Sequence, residues 1–315
     1  MHVLPQMVAH LRAEMEKGIV GQKDLVDRLA LAVLCQGHAL IEGVPGIAKT
    51  LTVKLLAKIL AIQSQRVQCT SDLMPADVIG ANVFNTATAS FSLHKGPLFT
   101  DLLLADEINR MPPRTQAALL EAMEERQITI DGACHALSEF FTVFATQNPI
   151  EFEGTYPLPE AQLDRFLLKI TVSYPGSDDE VAILRKHHEG FDARDLDAVQ
   201  VTPLSPEVLK QARSEVRQVK IEPALFNYVV ALVRKTREWP SLALGASPRA
   251  AVSLMRVAQA LAGMDGRDYV VPDDIKEAAL PVLRHRLLLK PEAELESIDA
   301  DAVLRDILAT VEVPK

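Results

Sequence analysis

The feature that most constrains this chain is a glycine-containing loop, Gly43-Val44-Pro45-Gly46-Ile47-Ala48-Lys49-Thr50. It follows the segment 38–42, which has an apolar centre and is predicted to be a strand. It precedes a segment, 50–60, with apolar residues at every fourth position, as on a helix. In such a loop backbone N–H groups wrap phosphates, the positive end of the helix faces them, and a lysine reaches the β- and γ-phosphates. The sequence therefore predicts a phosphate-binding loop in which Lys49 contacts the phosphates.

Two loop residues carry further expectations. Thr50 is predicted to supply a hydroxyl ligand to Mg²⁺. Ala48 stands where the general pattern has its second glycine, and a methyl group there is compatible with helical backbone angles, so we expect the loop to form. The residues predicted to touch a nucleotide from this loop are Gly43, Val44, Pro45, Gly46, Ile47, Ala48, Lys49, Thr50 and Leu51.

A second motif is the apolar run 102–105, which ends in Asp106 and Glu107. Ligands of parallel sheets bind at the carboxyl ends of the strands, where both acids would lie. Asp106 is then predicted to hold Mg²⁺ through water, and Glu107 to polarise the attacking water. An ordinary pair of surface acids is the alternative for this motif taken alone.

A third buried run, 140–145, is followed by polar residues that end at Asn148. An amide both donates and accepts hydrogen bonds, so Asn148 is a candidate for orienting the nucleophilic water. Asn148-Pro149 is also a common turn opener, and that interpretation stays open here.

Strands that alternate with helices predict an α/β fold, a mostly parallel sheet covered on both faces, and a further strand falls at 167–172. Beyond Pro175 the pattern becomes helical, with prolines where helices begin: Pro206, Pro223, Pro248 and Pro272. Ser247 is predicted to be the N-cap of the helix at Pro248. We therefore expect an α/β core over 1–175 and an all-helical domain over 176–315.

Composition narrows the class of protein. The net charge of −9 and an aromatic content of 5% argue against nucleic acid as the partner. The longest apolar run, 29–35, is far shorter than the roughly 20 residues that span a bilayer, so no membrane insertion is expected. The N-terminal residues lack an export pattern, and the three cysteines predict buried, reduced thiols, so we expect a cytoplasmic protein.

In this order and at these strand ends, Lys49, Asp106-Glu107 and Asn148 look like the P-loop, Walker B and sensor 1 elements of AAA+ ATPases. Longer runs resemble the MoxR family of that superfamily, and the resemblance extends from about residue 20 to 285. The runs that carry it are 42–46, 106–110, 119–125, 145–149, 153–166 and 245–249.

The resemblance implies further site residues. Val20 and Gly21 stand where such proteins contact the adenine. Arg165 matches the arginine finger that completes a neighbouring subunit's site, although an ion pair with Asp164 is the alternative from the residues alone. Arg249 matches sensor 2, the lid arginine that touches the γ-phosphate.

The resemblance also implies an architecture and partners. The expected fold is an AAA+ core followed by a small all-α lid, with a helix 2 insert at about 77–96 and a pre-sensor 1 hairpin at about 128–139, both facing a pore or a client protein. The expected activity is ATP hydrolysis with Mg²⁺ in a ring, a hexamer in such proteins. That activity would remodel partner proteins, among them proteins with von Willebrand factor A domains.

Two other functions are compatible with these motifs. A nucleic-acid motor of a related clade would need a basic, aromatic-bearing pore, which the composition disfavours. A nucleotide-switched scaffold would bind ATP only to set its shape, and nothing in the sequence requires that.

Overall fold

The computed structural model describes residues 3–43, 48–87, 89–148, 155–193, 195–196 and 198–314. The predicted loop residues Val44, Pro45, Gly46 and Ile47 lie outside that range. Within it the strands are β1 Ala39–Gly43, β2 Ser64–Gln68, β3 Gly80–Asn85, β4 Ser90–Lys95, β5 Leu102–Asp106, β6 Gln127–Ile130, β7 Ala133–Ala136, β8 Thr142–Gln147, β9 Leu168–Val172, β10 Leu242–Leu244 and β11 Leu288–Leu289.

The helices of the described residues follow the same numbering along the chain. They are α1 Val3–Glu16, α2 Lys23–Leu34, α3 Lys49–Ile59, α4 Pro75–Ile79, α5 Pro113–Glu125, α6 Glu160–Leu163, α7 Ser177–His188, α8 Pro206–Gln218, α9 Pro223–Arg237, α10 Pro248–Met264, α11 Pro272–Leu283, α12 Pro291–Leu295 and α13 Ala300–Thr310. Two 3-10 turns cover Ile108–Arg110 and Arg284–Arg286.

The main sheet has the strand order β2-β5-β8-β1-β9, and each neighbouring pair is parallel. Because successive side chains point to opposite faces, Ile41 and Leu104 pack into a core with α1, α2, α3 and the C-terminal helices. Leu40 and Leu103 pack on the other face, against α4 and α5. The predicted α/β class, a parallel sheet covered on both faces, is confirmed.

The C-terminal part is helical, and the helices expected at Pro206, Pro223, Pro248 and Pro272 begin at those residues. The structure adds a small antiparallel ribbon, since β10 pairs with β11. Ser247 occupies the N-cap position of α10, but its hydroxyl donates to Asp164 Oδ2 at 3.2 Å and caps no helical N–H. The expected capping bond is thus replaced by a tertiary one.

The N-terminal helix joins the two parts of the chain. Helix α1 packs against α2 and α3 of the core and also against α8 and α10 of the C-terminal part. A Cβ at Gly263 of α10 would come within 2.6 Å of the Leu4 side chain, so the two helices approach closely. The division of the chain near Pro175 stays a prediction.

Both predicted insertions are hairpins. Strands β3 and β4 pair within the first, and β6 and β7 pair within the second. Phe84 and Phe91 face each other across β3 and β4 with ring centroids 5.2 Å apart, and both are exposed. Cys134 on β7 is also exposed, so the expectation of three buried thiols is wrong at this residue. The β6–β7 ribbon has only two strands, and part of its surface faces solvent.

Candidate nucleotide-binding site

A cavity of about 680 Å³ opens at the carboxyl ends of β1, β5 and β8. That volume lies within the range of about 300–1,000 Å³ typical of ligand sites. Its lining includes nine of the predicted residues: Val20, Gly43, Ala48, Lys49, Thr50, Leu51, Asp106, Glu107 and Asn148. The fold therefore brings the described residues at both ends of the predicted phosphate loop, the two acids and the amide to one cavity.

Lys49 is the first residue of α3, and its Nζ donates to the carbonyl oxygen of Gly43 at 2.6 Å. Partial burial lowers the pKa of Lys49, and the nearby carboxylates of Asp106, Glu107 and Glu42 act in the opposite direction. The ammonium group thus lies at the helix N-terminus among acids and can exchange one carbonyl for phosphate oxygens.

Ala48 departs from the expected backbone geometry. Its φ of 59° and ψ of 22° place it in the left-handed region, which costs an L-residue about 1–2 kcal/mol. The Ala48 carbonyl accepts from both the Thr52 N–H and the Thr52 hydroxyl, each at 2.9 Å, and so makes the first hydrogen bonds of α3. Ala48 thus adopts the left-handed backbone conformation that favours glycine, the residue usually found at this position of the loop.

Asp106 ends β5 and accepts two strong hydrogen bonds. Its Oδ1 accepts from the Thr146 hydroxyl at 2.6 Å, and its Oδ2 accepts from Arg66 Nη2 at 2.7 Å. The same Thr146 oxygen accepts the N–H of Glu107 at 2.8 Å, so one hydroxyl on β8 fixes both acids. Sequence reasoning missed Thr146 and Arg66 as site residues.

Their positions follow from strand pairing. Ala105 pairs with Ala145 between β5 and β8, which brings the next residue of each strand together. Arg66 lies on β2, which pairs with β5 in parallel. A polar residue directly after Ala145 was the one available signal for Thr146, and no sequence signal pointed to Arg66.

Glu107 has a φ of 60° and lines the cavity. Its Oε2 accepts from Arg110 Nη1 at 3.0 Å, and both side chains are partly exposed. Arg110 contacts the acid predicted to polarise water.

The donor set fits a magnesium ion. Mg²⁺ prefers oxygen ligands and retains waters. The Thr50 hydroxyl and the Asp106 carboxylate line the same cavity. An ionised carboxylate has about four lone-pair sites, so Asp106 keeps acceptor capacity beside its bonds to Thr146 and Arg66.

The rest of the cavity is largely apolar and suits a nucleobase. Val20 lines it as predicted, but Gly21 does not; a Cβ at Gly21 would lie 2.6 Å from Asp179. Sequence reasoning missed the contribution of α7 and its flanks, because they begin at the predicted domain boundary. The lining residues from that segment are Tyr174, Pro175, Glu180, Ile183, Lys186, His187, Phe191 and Ala193.

Arg165 and Arg249 do not line this cavity, and both bind Glu124. Arg165 Nε donates to Glu124 Oε2 at 2.8 Å, and Arg249 Nη1 donates to Glu124 Oε1 at 2.9 Å. The alternative pair of Arg165 with Asp164 is not formed, since Asp164 Oδ1 accepts from Arg286 at 2.7 Å. The roles of Arg165 and Arg249 stay predictions, and in this structure neither side chain lines the chain's own nucleotide cavity.

These features define the class of P-loop ATP-binding proteins: a lysine in the phosphate loop, two acids at the end of β5, and an amide after β8, on a parallel sheet of this strand order. Residues 38–168 match the family described as ATPases associated with various cellular activities (AAA), and residues 234–307 match the AAA lid domain. The chain belongs to the MoxR family of AAA+ ATPases.

Relatives match over nearly the whole chain. Chaperone MoxR1 of Mycobacterium tuberculosis is 42% identical over 96% of this chain and 81% of that protein. Uncharacterized protein YeaC of Bacillus subtilis is 44% identical over 99% of this chain and 95% of that protein. A crystal structure of a provisionally assigned ATPase from Cytophaga hutchinsonii has a TM-score of 0.91 at 41% identity, over 99% of this chain and 96% of that one. The AAA+ core with a helical lid is thereby confirmed.

Proposed function

We propose that the protein hydrolyses ATP with Mg²⁺ at sites shared between neighbouring subunits of a ring, and that this activity remodels partner proteins. The observation that carries the proposal is the position of Arg165 and Arg249. Both are matched to roles at the γ-phosphate, yet they meet at Glu124 outside the chain's own cavity. The triphosphate bound by a second subunit is an anion that both arginines could contact.

The chain's own residues divide the chemistry between them. Lys49 binds the β- and γ-phosphate oxygens, while Thr50 and Asp106 would hold Mg²⁺, which screens the phosphate charge when bound. Glu107 accepts a proton from the attacking water, and Asn148 orients that water by donating and accepting. Thr146 holds the two acids in their relative position.

Arg110 adds a condition to this mechanism. Arg110 Nη1 donates to Glu107 Oε2 at 3.0 Å and thereby occupies one of the two carboxylate oxygens that could accept the proton of the attacking water. We infer that Arg110 must leave Glu107 Oε2, or share it with the water, when that oxygen accepts the proton. Both side chains are partly exposed, so that exchange needs no repacking of the core.

The two arginines would act in trans. Charge that develops on the γ-phosphoryl oxygens is stabilised by guanidinium groups supplied from another subunit. This assigns Arg249 to the neighbour's nucleotide, whereas the sequence interpretation left open which subunit's nucleotide it touches.

The wider setting is part of the proposal. The name of Chaperone MoxR1 supports a remodelling role, and the family resemblance supports a hexamer and partners with von Willebrand factor A domains. The exposed Phe84–Phe91 pair on the β3–β4 hairpin would meet such a client. The free, buried thiols of Cys35 and Cys69 fit a reducing compartment such as the cytoplasm.

No helix among the described residues is both long enough and apolar enough to cross a membrane.

We also propose the division into a nucleotide-binding core over 1–175 and a lid over 176–315. Limited proteolysis that cuts near Pro175 without cutting elsewhere would support that boundary, and a first cut inside either part would contradict it.

Mixed rings test the shared site. Glu107→Gln subunits keep ATP but cannot activate water, and Arg165→Ala subunits keep an intact cavity but lack the finger. Each protein alone should be inactive, while a mixture should regain activity where an intact cavity meets an intact Arg165. A mixture no more active than its two components would refute the shared site.

A further inference from the structure

We propose that Glu124 is a positioning residue that holds Arg165 and Arg249 side by side as one anion-binding pair, presented to the triphosphate of a second subunit. The inference rests on the shared-site function proposed above. It assigns a role to a residue that contacts neither the nucleotide cavity of its own chain nor any predicted metal ligand.

The Glu124 carboxylate contacts both arginines. Its two oxygens are divided between the arginines, Oε2 to Arg165 and Oε1 to Arg249. Among the described residues, Glu124 is the hydrogen-bond acceptor of both guanidinium groups. Each guanidinium has five N–H donors, so a single bond to Glu124 leaves most donors of each group available to a phosphate.

The backbone segments that carry Arg165 and Arg249 are linked through Asp164. Asp164 accepts from Arg286 Nε at 2.7 Å and from the Ser247 hydroxyl at 3.2 Å, which ties the segment before Arg165 to the segment before Arg249. Arg286 is buried and also donates to the carbonyl of Phe166 at 2.8 Å. The two backbones are therefore already fixed to each other.

What these contacts leave undetermined is the conformation of two long side chains. Arg165 follows α6 of the core, and Arg249 lies in the first turn of α10 in the C-terminal part. Two guanidinium groups repel each other, and only an anion between them favours a shared geometry. Glu124, at the end of α5, supplies that anion before a nucleotide arrives.

The charge state of Glu124 agrees with this role. Partial burial raises the pKa of Glu124, but hydrogen bonds from Arg165 and Arg249 outweigh it, so the pKa lies below its ordinary value. The carboxylate is ionised at neutral pH and pairs with two permanent cations. The cluster keeps a net positive charge and still attracts phosphate.

The chain offers a matched control. Glu124→Gln keeps the size of the side chain and one carbonyl acceptor but removes the charge. Glu125→Gln makes the same chemical change one residue further along α5, at an exposed position for which the described residues show no ion pair. A difference between the two variants then reports on the contact with the arginines.

The experiment uses mixed rings in which only one kind of junction is active. Glu107→Gln subunits donate Arg165 and Arg249, and Arg165→Ala subunits supply the working cavity. Glu124→Gln is introduced into the donor in one mixture and into the acceptor in another. Misplacing a group near the reaction by about 1 Å lowers rates by about 100-fold, so we expect a loss of about 10-fold or more when the donor carries Glu124→Gln.

With Glu124→Gln in the acceptor, the rate should equal that of the parent mixture, because that subunit's arginine pair is already broken. The KM for ATP should change little in either mixture, because the arginine pair acts mainly on charge that develops on the γ-phosphoryl oxygens during the reaction. Glu125→Gln should have no effect on either side. Glu124→Asp in the donor, which keeps the charge, should recover part of the lost rate.

Each outcome is decisive. An unchanged or faster rate with Glu124→Gln in the donor would overturn the positioning role while leaving the shared site intact. Equal losses from donor and acceptor would also overturn it, because they would indicate a general structural defect. Absence of activity in the parent mixture would instead remove the shared site itself, and the two failures are therefore distinguishable.

Discussion

Ala48 allows the local geometry of the phosphate loop to be tested by stability alone. An alanine with φ of 59° carries about 1–2 kcal/mol of left-handed strain. Glycine relieves that strain. It also makes the unfolded chain more flexible, which lowers the free energy of unfolding by about 0.4–1 kcal/mol. Ala48→Gly should therefore stabilise the protein by about 0.5–1 kcal/mol, which corresponds to a rise in Tm of roughly 2 °C.

Helix α3 supplies both controls. Ala61 follows its C-terminal end with φ of 51°, so Ala61→Gly should raise the Tm to a similar extent. Ala57 lies buried in the last turn of the same helix, and Ala57→Gly should destabilise the protein by about 1 kcal/mol.

The assay is thermal unfolding followed by circular dichroism without nucleotide, with all three variants compared under one set of conditions. Loss of stability in Ala48→Gly comparable to that in Ala57→Gly would refute the reasoning. It would mean that Ala48 takes ordinary right-handed helical angles.

Three further predictions concern the site and the thiols. Arg165→Ala should lower kcat by about 10³-fold or more with little change in the KM for ATP; a normal kcat in steady-state assays would contradict a finger role. Thr146→Val removes the hydroxyl that binds both acids, so we expect a loss of about 1–3 kcal/mol in the free energy of unfolding, measured by denaturation. We also expect ATP hydrolysis to require a higher Mg²⁺ concentration, measured by metal titration, and an unchanged Mg²⁺ requirement would contradict this role of Thr146. Burial raises the pKa values of Cys35 and Cys69 to about 12, so a thiol reagent should label Cys134 quickly and the other two only on unfolding; rapid labelling of all three would contradict the packing.

Local sequence signals predicted much of the fold. Each of these features is encoded by a few neighbouring residues: the strand before the loop, the strand ending at Asp106 and the prolines that open helices. Apolar runs of that length next to turn residues leave little choice of structure. The fold class and the family were therefore predictable, and both are confirmed.

The contacts that complete the site were not predictable in this way. Arg66 reaches Asp106 from a strand about 40 residues earlier, and Glu124 gathers two arginines from segments far apart in the chain. No local sequence pattern predicts such contacts, because they depend on strand order and on helix packing. The left-handed backbone angle of Ala48 was also missed, because an alanine at this position does not indicate a positive φ in the sequence.

The central claim is that a second subunit completes the ATP site. The measurement that tests it most directly is the steady-state rate of ATP hydrolysis per subunit over a wide range of protein concentration, with Mg²⁺ present and the size measured on the same samples. We predict a specific activity that rises with assembly and then saturates. A specific activity that is already full in samples of monomeric size would contradict the account.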